Sequence, residues 1–123
     1  MRAFLLAVLL FAAAPAAAQP HVVEVQLSSF AFTPGTLRLR AGEPILLRLV
    51  NSANGGHNFS APDFFAAATL APAQVAVLAR GTIEVPSHAT VEIALTPARG
   101  RYALRCTHTL HTAFGMRGEI VVE

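Results

Sequence analysis

With 123 residues and a formal charge of only +2, from nine arginines against seven carboxylates and no lysine, the chain has room for one domain and no charge excess that would draw it to nucleic acid. Its single cysteine, Cys106, excludes an internal disulfide. In an oxidising compartment a lone thiol is reactive, paired with another molecule or bound to something.

The chain opens with Met1-Arg2, an apolar block from Phe4 to Ala14, and Ala16-Ala17-Ala18 ahead of Gln19-Pro20. A positive start, an apolar stretch of about ten residues and small residues at a cleavage point read as a secretory signal peptide over residues 1–18; a membrane span needs about twenty. The expected mature protein is therefore a soluble domain over residues 19–123, periplasmic or secreted, with eight arginines against seven acids. A second apolar run, Phe64 to Ala79, is interrupted by Thr69, Pro72 and Gln74 and falls short of a span.

From His21 the chain alternates. Val23, Val25 and Leu27 share one face, the first strand signal. Phe30-Ala31-Phe32-Thr33 ends in a Pro34-Gly35 turn; Leu37 and Leu39 then alternate with Arg38 and Arg40. After Gly42-Glu43-Pro44 comes a third strand, with Ile45, Leu47 and Leu49 inward and Arg48 outward. Asn51 to Gly56 is a loop by composition, with His57 at its exit. Pro62 to Leu70 suits a short helix, Pro62 in its first turn and Asp63 favourable against the helix dipole. Gln74 to Ala79 reads as a short strand or a connection, followed by strands at Thr82–Val85, Thr90–Leu95, Arg101–Cys106 and Gly118–Val122. Seven or eight short strands separated by turn signals predict an all-β, antiparallel sandwich with one short helix.

Arg105-Cys106-Thr107-His108-Thr109-Leu110-His111-Thr112-Ala113-Phe114-Gly115-Met116 is where chemistry concentrates. A thiolate, an imidazole and a thioether at spacings of five residues suit a borderline metal ion, and two histidines, a cysteine and a weak axial methionine make a blue-copper electron-transfer centre. The loop lacks one imidazole, and His57 is the candidate to supply it. Alternation places Tyr102, Leu104 and Cys106 on one strand face and Arg101, Ala103 and Arg105 on the other, so the thiol points inward. His108, one residue beyond Thr107, reaches the same ion as Cys106 only through a sharp bend; it reads as a histidine beside the site, or as part of an extra exposed metal spot. His88, in Pro86-Ser87-His88, reads as a turn residue. His21 would be third in a mature chain, but Pro20 lacks the amide that an amino-terminal copper motif needs.

His57-Asn58, Tyr102-x₃-Cys106-Thr107-x₃-His111-x₄-Met116 and the trailing Gly118-x-Ile120-Val121-Val122 resemble the cupredoxin family of small type 1 copper proteins; Phe32-Thr33-Pro34 and Gly42-Glu43-Pro44 extend the resemblance over nearly the whole mature chain. It implies a Greek-key sandwich holding one mononuclear copper, with His57, Cys106 and His111 as equatorial ligands and Met116 as the axial one. It also implies a hydrogen bond between Asn58 and Thr107, and a Gly56 carbonyl near the metal on the second axial side. The mixed spacing, with one residue more between His111 and Met116 than in the azurin-like loop, leaves the axial bond and the colour open. A single cysteine disfavours a dinuclear centre.

The resulting expectation is an electron carrier rather than an enzyme, since neither an open coordination position nor a Ser/His/Asp or paired-carboxylate arrangement is apparent. The alternative is a protein for copper delivery, resistance or oxidase assembly, although the sequence lacks the methionine-rich segments that favour exchange. Electrons would pass through His111, framed by Leu110, Ala113 and Phe114, in transient contact between a monomer and a redox partner such as a cytochrome, oxidase or reductase. Arg105 and Arg117 flank the loop and predict an acidic partner surface.

Overall fold

The computed structural model describes residues 8–14, 19–108, 111 and 113–123. Residues 8–14 are exposed and belong to no regular element. Among the described residues no helix is long and apolar enough to cross a membrane.

Strands β1 (His21–Ser28), β2 (Ala31–Thr33), β3 (Thr36–Leu39), β4 (Ile45–Asn51), β5 (His57–Ser60), β6 (Thr82–Val85), β7 (Thr90–Leu95), β8 (Gly100–Arg105) and β9 (Arg117–Val122) form two sheets. One has the order β2-β1-β4-β7 and the other β3-β9-β8-β5-β6. Helices α1 (Pro62–Ala67) and α2 (Pro72–Val75) lie in the connection between β5 and β6. The chain is a mostly-β sandwich, as the alternation requires, and the inward residues are those the pattern picks out. Val25, Leu27, Leu37, Leu39, Ile45, Leu47 and Leu49 are all buried, while Val23 is half-buried.

Two features go beyond the reading of the pattern. Most ladders are antiparallel, but β1–β4 and β3–β9 are parallel. Between β2 and β3 the chain leaves one sheet for the other, so β4 returns beside β1 in the same direction. Alternation reports which face a residue occupies and is silent on direction. Of the two readings for the stretch from Gln74, strand or connection, the structure takes the connection, and Pro72 starts a second short helix there, with Pro at its first turn. Gln74 there serves a tertiary purpose, its Oε1 accepting from the Ala94 N–H at 2.9 Å. Because β7 is a sheet edge, this side chain occupies a ladder position that an edge strand leaves open.

An aromatic chain fills the interior, with Phe32 on Phe59, Phe59 on Phe65, Phe65 on Phe64 and Phe64 on Tyr102, all near edge-to-face at ring separations of 5.2–6.0 Å. Phe64 and Phe65 come from α1, which is how the helix closes the sandwich beside β8. Gly81, at φ +74, lets the chain pass against α1; a Cβ there would fall 2.4 Å from Pro62 Cα.

Candidate metal centre

His57 opens β5, and Cys106 follows the last residue of β8. The thiol is inward, as the β8 alternation predicts: Leu104 and Cys106 are buried while Arg101, Ala103 and Arg105 are exposed. The Cys106 N–H donates to the Met116 carbonyl at 3.0 Å, and the Met116 N–H donates to the His111 carbonyl at 2.9 Å. These two bonds tie Cys106, His111 and Met116 together at one end of the sandwich. Thr109, Leu110 and Thr112 lie outside the described residues, and with them the expected framing of His111 by Leu110.

Three donor atoms converge. His57 Nδ1 and His111 Nδ1 are 3.0 Å apart, and Cys106 Sγ lies 3.4 Å from the second and 3.9 Å from the first. Among the described residues this is the group of His, Cys, Asp and Glu placed to hold a metal. Edges of this size are what one ion bonded at about 2.0 Å to nitrogen and about 2.3 Å to sulfur spans. Met116 is fully buried at the same end, its backbone tied to both Cys106 and His111.

The surroundings fit a soft, dry site. Cys106 and Met116 are wholly buried and His57 is 2% exposed, whereas His111 is half-buried and forms the outer edge. The Asn58 N–H donates to Cys106 Sγ at 3.4 Å, the kind of hydrogen bond to sulfur that tunes a metal ligand. Burial, followed by the nearby His111 and His108, holds the His57 pKa below the usual imidazole value. The ring stays neutral and keeps a lone pair for a metal. His57 Nε2 is buried with no hydrogen-bond partner among the described residues, so nothing but packing and its Nδ1 contacts fixes this ring.

Two side chains hold the ligand segments together. The expected tie between Asn58 and Thr107 is present in both directions: Asn58 Nδ2 donates to Thr107 Oγ1 at 2.7 Å, and the Thr107 N–H donates to Asn58 Oδ1 at 2.8 Å. Asn51 fixes the loop before His57. Its Nδ2 donates to the carbonyls of Gly55, Val85 and Pro86, and its Oδ1 accepts from the Ala53 N–H.

Asn51 was legible only as the start of a loop, and two other neighbours of the site had no sequence signal. Phe30 packs edge-to-face on His111 at 5.3 Å and lies tilted at 39° against Phe114 at 5.0 Å, which gathers two exposed aromatic rings beside the outermost imidazole. Glu84, on β6, accepts from Asn58 Nδ2 and from His108 Nε2, both at 2.8 Å. Burial alone would raise the Glu84 pKa, but the bonds from Asn58 and His108 and the His108 charge outweigh it and leave the carboxyl below its ordinary value. His88 sits at φ 55, the turn residue anticipated, near Asn54 Oδ1 at 3.1 Å.

The sandwich with a thiol and two imidazoles enclosed at one end defines a small metal-binding β protein of the cupredoxin type. The chain matches the model of the cupredoxin-like domain over residues 1–122 and belongs to that family. It is similar to the dithionite-reduced auracyanin of Roseiflexus castenholzii at 18% identity and a TM-score of 0.63, covering 87% of this chain and 99% of that one. Auracyanin B aligns at 23% identity and a TM-score of 0.63, covering 87% and 92%. Auracyanin A, a "blue" copper protein of Chloroflexus aurantiacus, aligns at 24% identity and a TM-score of 0.58, covering 85% and 100%. No curated protein matches the chain significantly.

Proposed function

We propose that this protein carries single electrons on one copper ion, which His57, Cys106, His111 and Met116 would hold. The observation that carries this reading is the buried triangle of two Nδ1 atoms and one Sγ, with edges of 3.0 to 3.9 Å. Copper supplies the one-electron step between Cu(II) and Cu(I), and the protein supplies a fixed donor set for both states. Cys106 and His57 are anchored on opposite sides of the Asn58–Thr107 link, which limits rearrangement at the donors. Cys106 and Met116 are wholly buried in the same apolar cluster as Phe59 and Leu104, which keeps water from the sulfur. His111, with Phe30 41% and Phe114 63% exposed beside it, gives the donor set its edge at the surface and a small apolar face for brief contact with a redox protein.

Burial of the thiol and Met116 favours retention of the ion over its delivery to another protein. The site would work outside the cytoplasm once residues 1–18 are removed, and the intact mass of the exported protein checks the cut before Gln19. Visible and EPR spectra of the purified protein with one equivalent of Cu(II) test the assignment. An intense thiolate-to-copper band that disappears in Cys106→Ser is the expected result; a variant that keeps the band refutes it. Rapid loss of the ion to a modest chelator would favour delivery instead.

A further inference from the structure

Glu84 and His108 belong to none of the four ligand positions, yet they are joined to the site by a continuous set of short bonds. Glu84 stands on edge strand β6, opposite Asn58 in the ladder. One carboxylate oxygen takes the Asn58 amide hydrogen and the other takes His108 Nε2–H, each at 2.8 Å. Asn58 in turn holds Thr107, the residue after Cys106. An ionised carboxylate only accepts, so His108 Nε2 bears a hydrogen in either charge state of the ring, and among the described residues the converging donor group is His57, Cys106 and His111, without His108. The His108 ring lies 6.5 Å from that of His57 and 5.4 Å from that of His111, tilted by 32° and 31°. Gly56 lies directly beside it, where a Cβ would sit 3.4 Å from His108 Cε1.

We infer that Glu84 is a positioning residue for the metal centre, a single carboxylate that clamps the His57 and Cys106 segments to each other and turns His108 into a cover over the imidazoles instead of a fifth ligand. The inference rests on the copper reading above. Through Asn58 the clamp fixes the strand start that carries His57; through His108 it fixes the loop that carries His111. Glu84 is 61% exposed at the side chain and His108 33%, so removing the carboxylate leaves the buried core intact and acts on the loop.

Glu84→Ala is expected to raise the Cu(II) dissociation constant about tenfold, the lower end of what the loss of a group orienting metal ligands costs. In the metal-free protein, long-range ¹H–¹⁵N NMR should show His108 with hydrogen on Nε2, and a mixture of ring tautomers in Glu84→Ala. Glu84→Gln, which retains one accepting oxygen, should fall between, and it decides the matter if the alanine variant does not fold. A merely structural carboxylate would shift the unfolding temperature and leave both readouts in place. Wild type that binds copper while Glu84→Ala binds it equally well overturns the clamp alone, and so does a His108 ring lacking hydrogen on Nε2 in the wild type. Wild type that takes up no copper overturns the reading beneath it, and the clamp with it.

Discussion

Replacing Asn58 by alanine removes three side-chain hydrogen bonds at once: to Thr107 Oγ1 at 2.7 Å, from the Thr107 N–H at 2.8 Å and to Glu84 at 2.8 Å. Bonds between neutral groups contribute about 1 kcal/mol each and one to a charged group about 1.5 to 3, which gives an upper bound of about 3.5 to 5 kcal/mol. Thr107 and Glu84 are themselves exposed, so water replaces part of what is lost and the expected destabilisation is about 2 to 3 kcal/mol. Against a total stability of about 5 to 15 kcal/mol this is a large fraction. It corresponds to a fall in Tm of roughly 10 to 20 °C for a domain of this size. Urea unfolding of the metal-free variant should show a lower midpoint at unchanged slope. A loss below about 0.5 kcal/mol, the size of an ordinary surface change, would mean that this side chain does not tie the two ligand segments together.

Met116→Leu nearly conserves volume and should cost under about 1.5 kcal/mol. Copper should remain bound at a higher reduction potential, because the axial donor that stabilises Cu(II) is gone; an unchanged potential in spectroelectrochemistry would show that Met116 is not coordinated. The lowered His57 pKa predicts a pH dependence of known sign. Below about pH 6.5 the unfolded chain takes a proton that the folded ring refuses, so the metal-free protein should lose stability as pH falls, and equal urea midpoints at pH 7.5 and 5.5 would contradict this. Arg105 and Arg117, both exposed and directly opposite in the β8–β9 ladder, should steer an acidic partner. Electron exchange with such a protein should slow as salt rises and slow about tenfold in Arg105→Glu at low salt; rates indifferent to both would remove the acidic-partner reading.

The parts of this fold that repeat every two residues were open to inspection in the chain, because burial selects one face of each strand: Leu37 and Leu39 against Arg38 and Arg40, or Leu104 and Cys106 against Arg105. The convergence of His57 with the Cys106 segment followed from topology, since both stand at the same ends of adjacent strands. What the pattern could not carry was anything set by strand order. Glu84 reaches the site because β6 happens to flank β5, and nothing in Thr-Ile-Glu-Val marks that glutamate from any solvated one. Phe30 is of the same kind: in sequence it looks like half of an aromatic pair with Phe32, but its positive φ of 68 turns it away from the core and onto His111. At Gln74 the chain left strand and connection open, and the structure takes the connection, from whose helical turn Gln74 covers the edge of β7.

The parallel pairing of β3 with β9 has a consequence for how the protein matures. Thr36 meets Glu119 and Leu39 meets Val122, so closure of that sheet waits on a strand made almost a whole chain later, and such distant pairings form slowly, over milliseconds to seconds. Met116 sits at the threshold of that late strand. A chain not yet extended through Met116 therefore lacks the backbone bonds that tie that residue to Cys106 and His111. If the chain binds copper as proposed, uptake of the ion would report completed folding, and each equivalent captured would weight the equilibrium further toward the finished state.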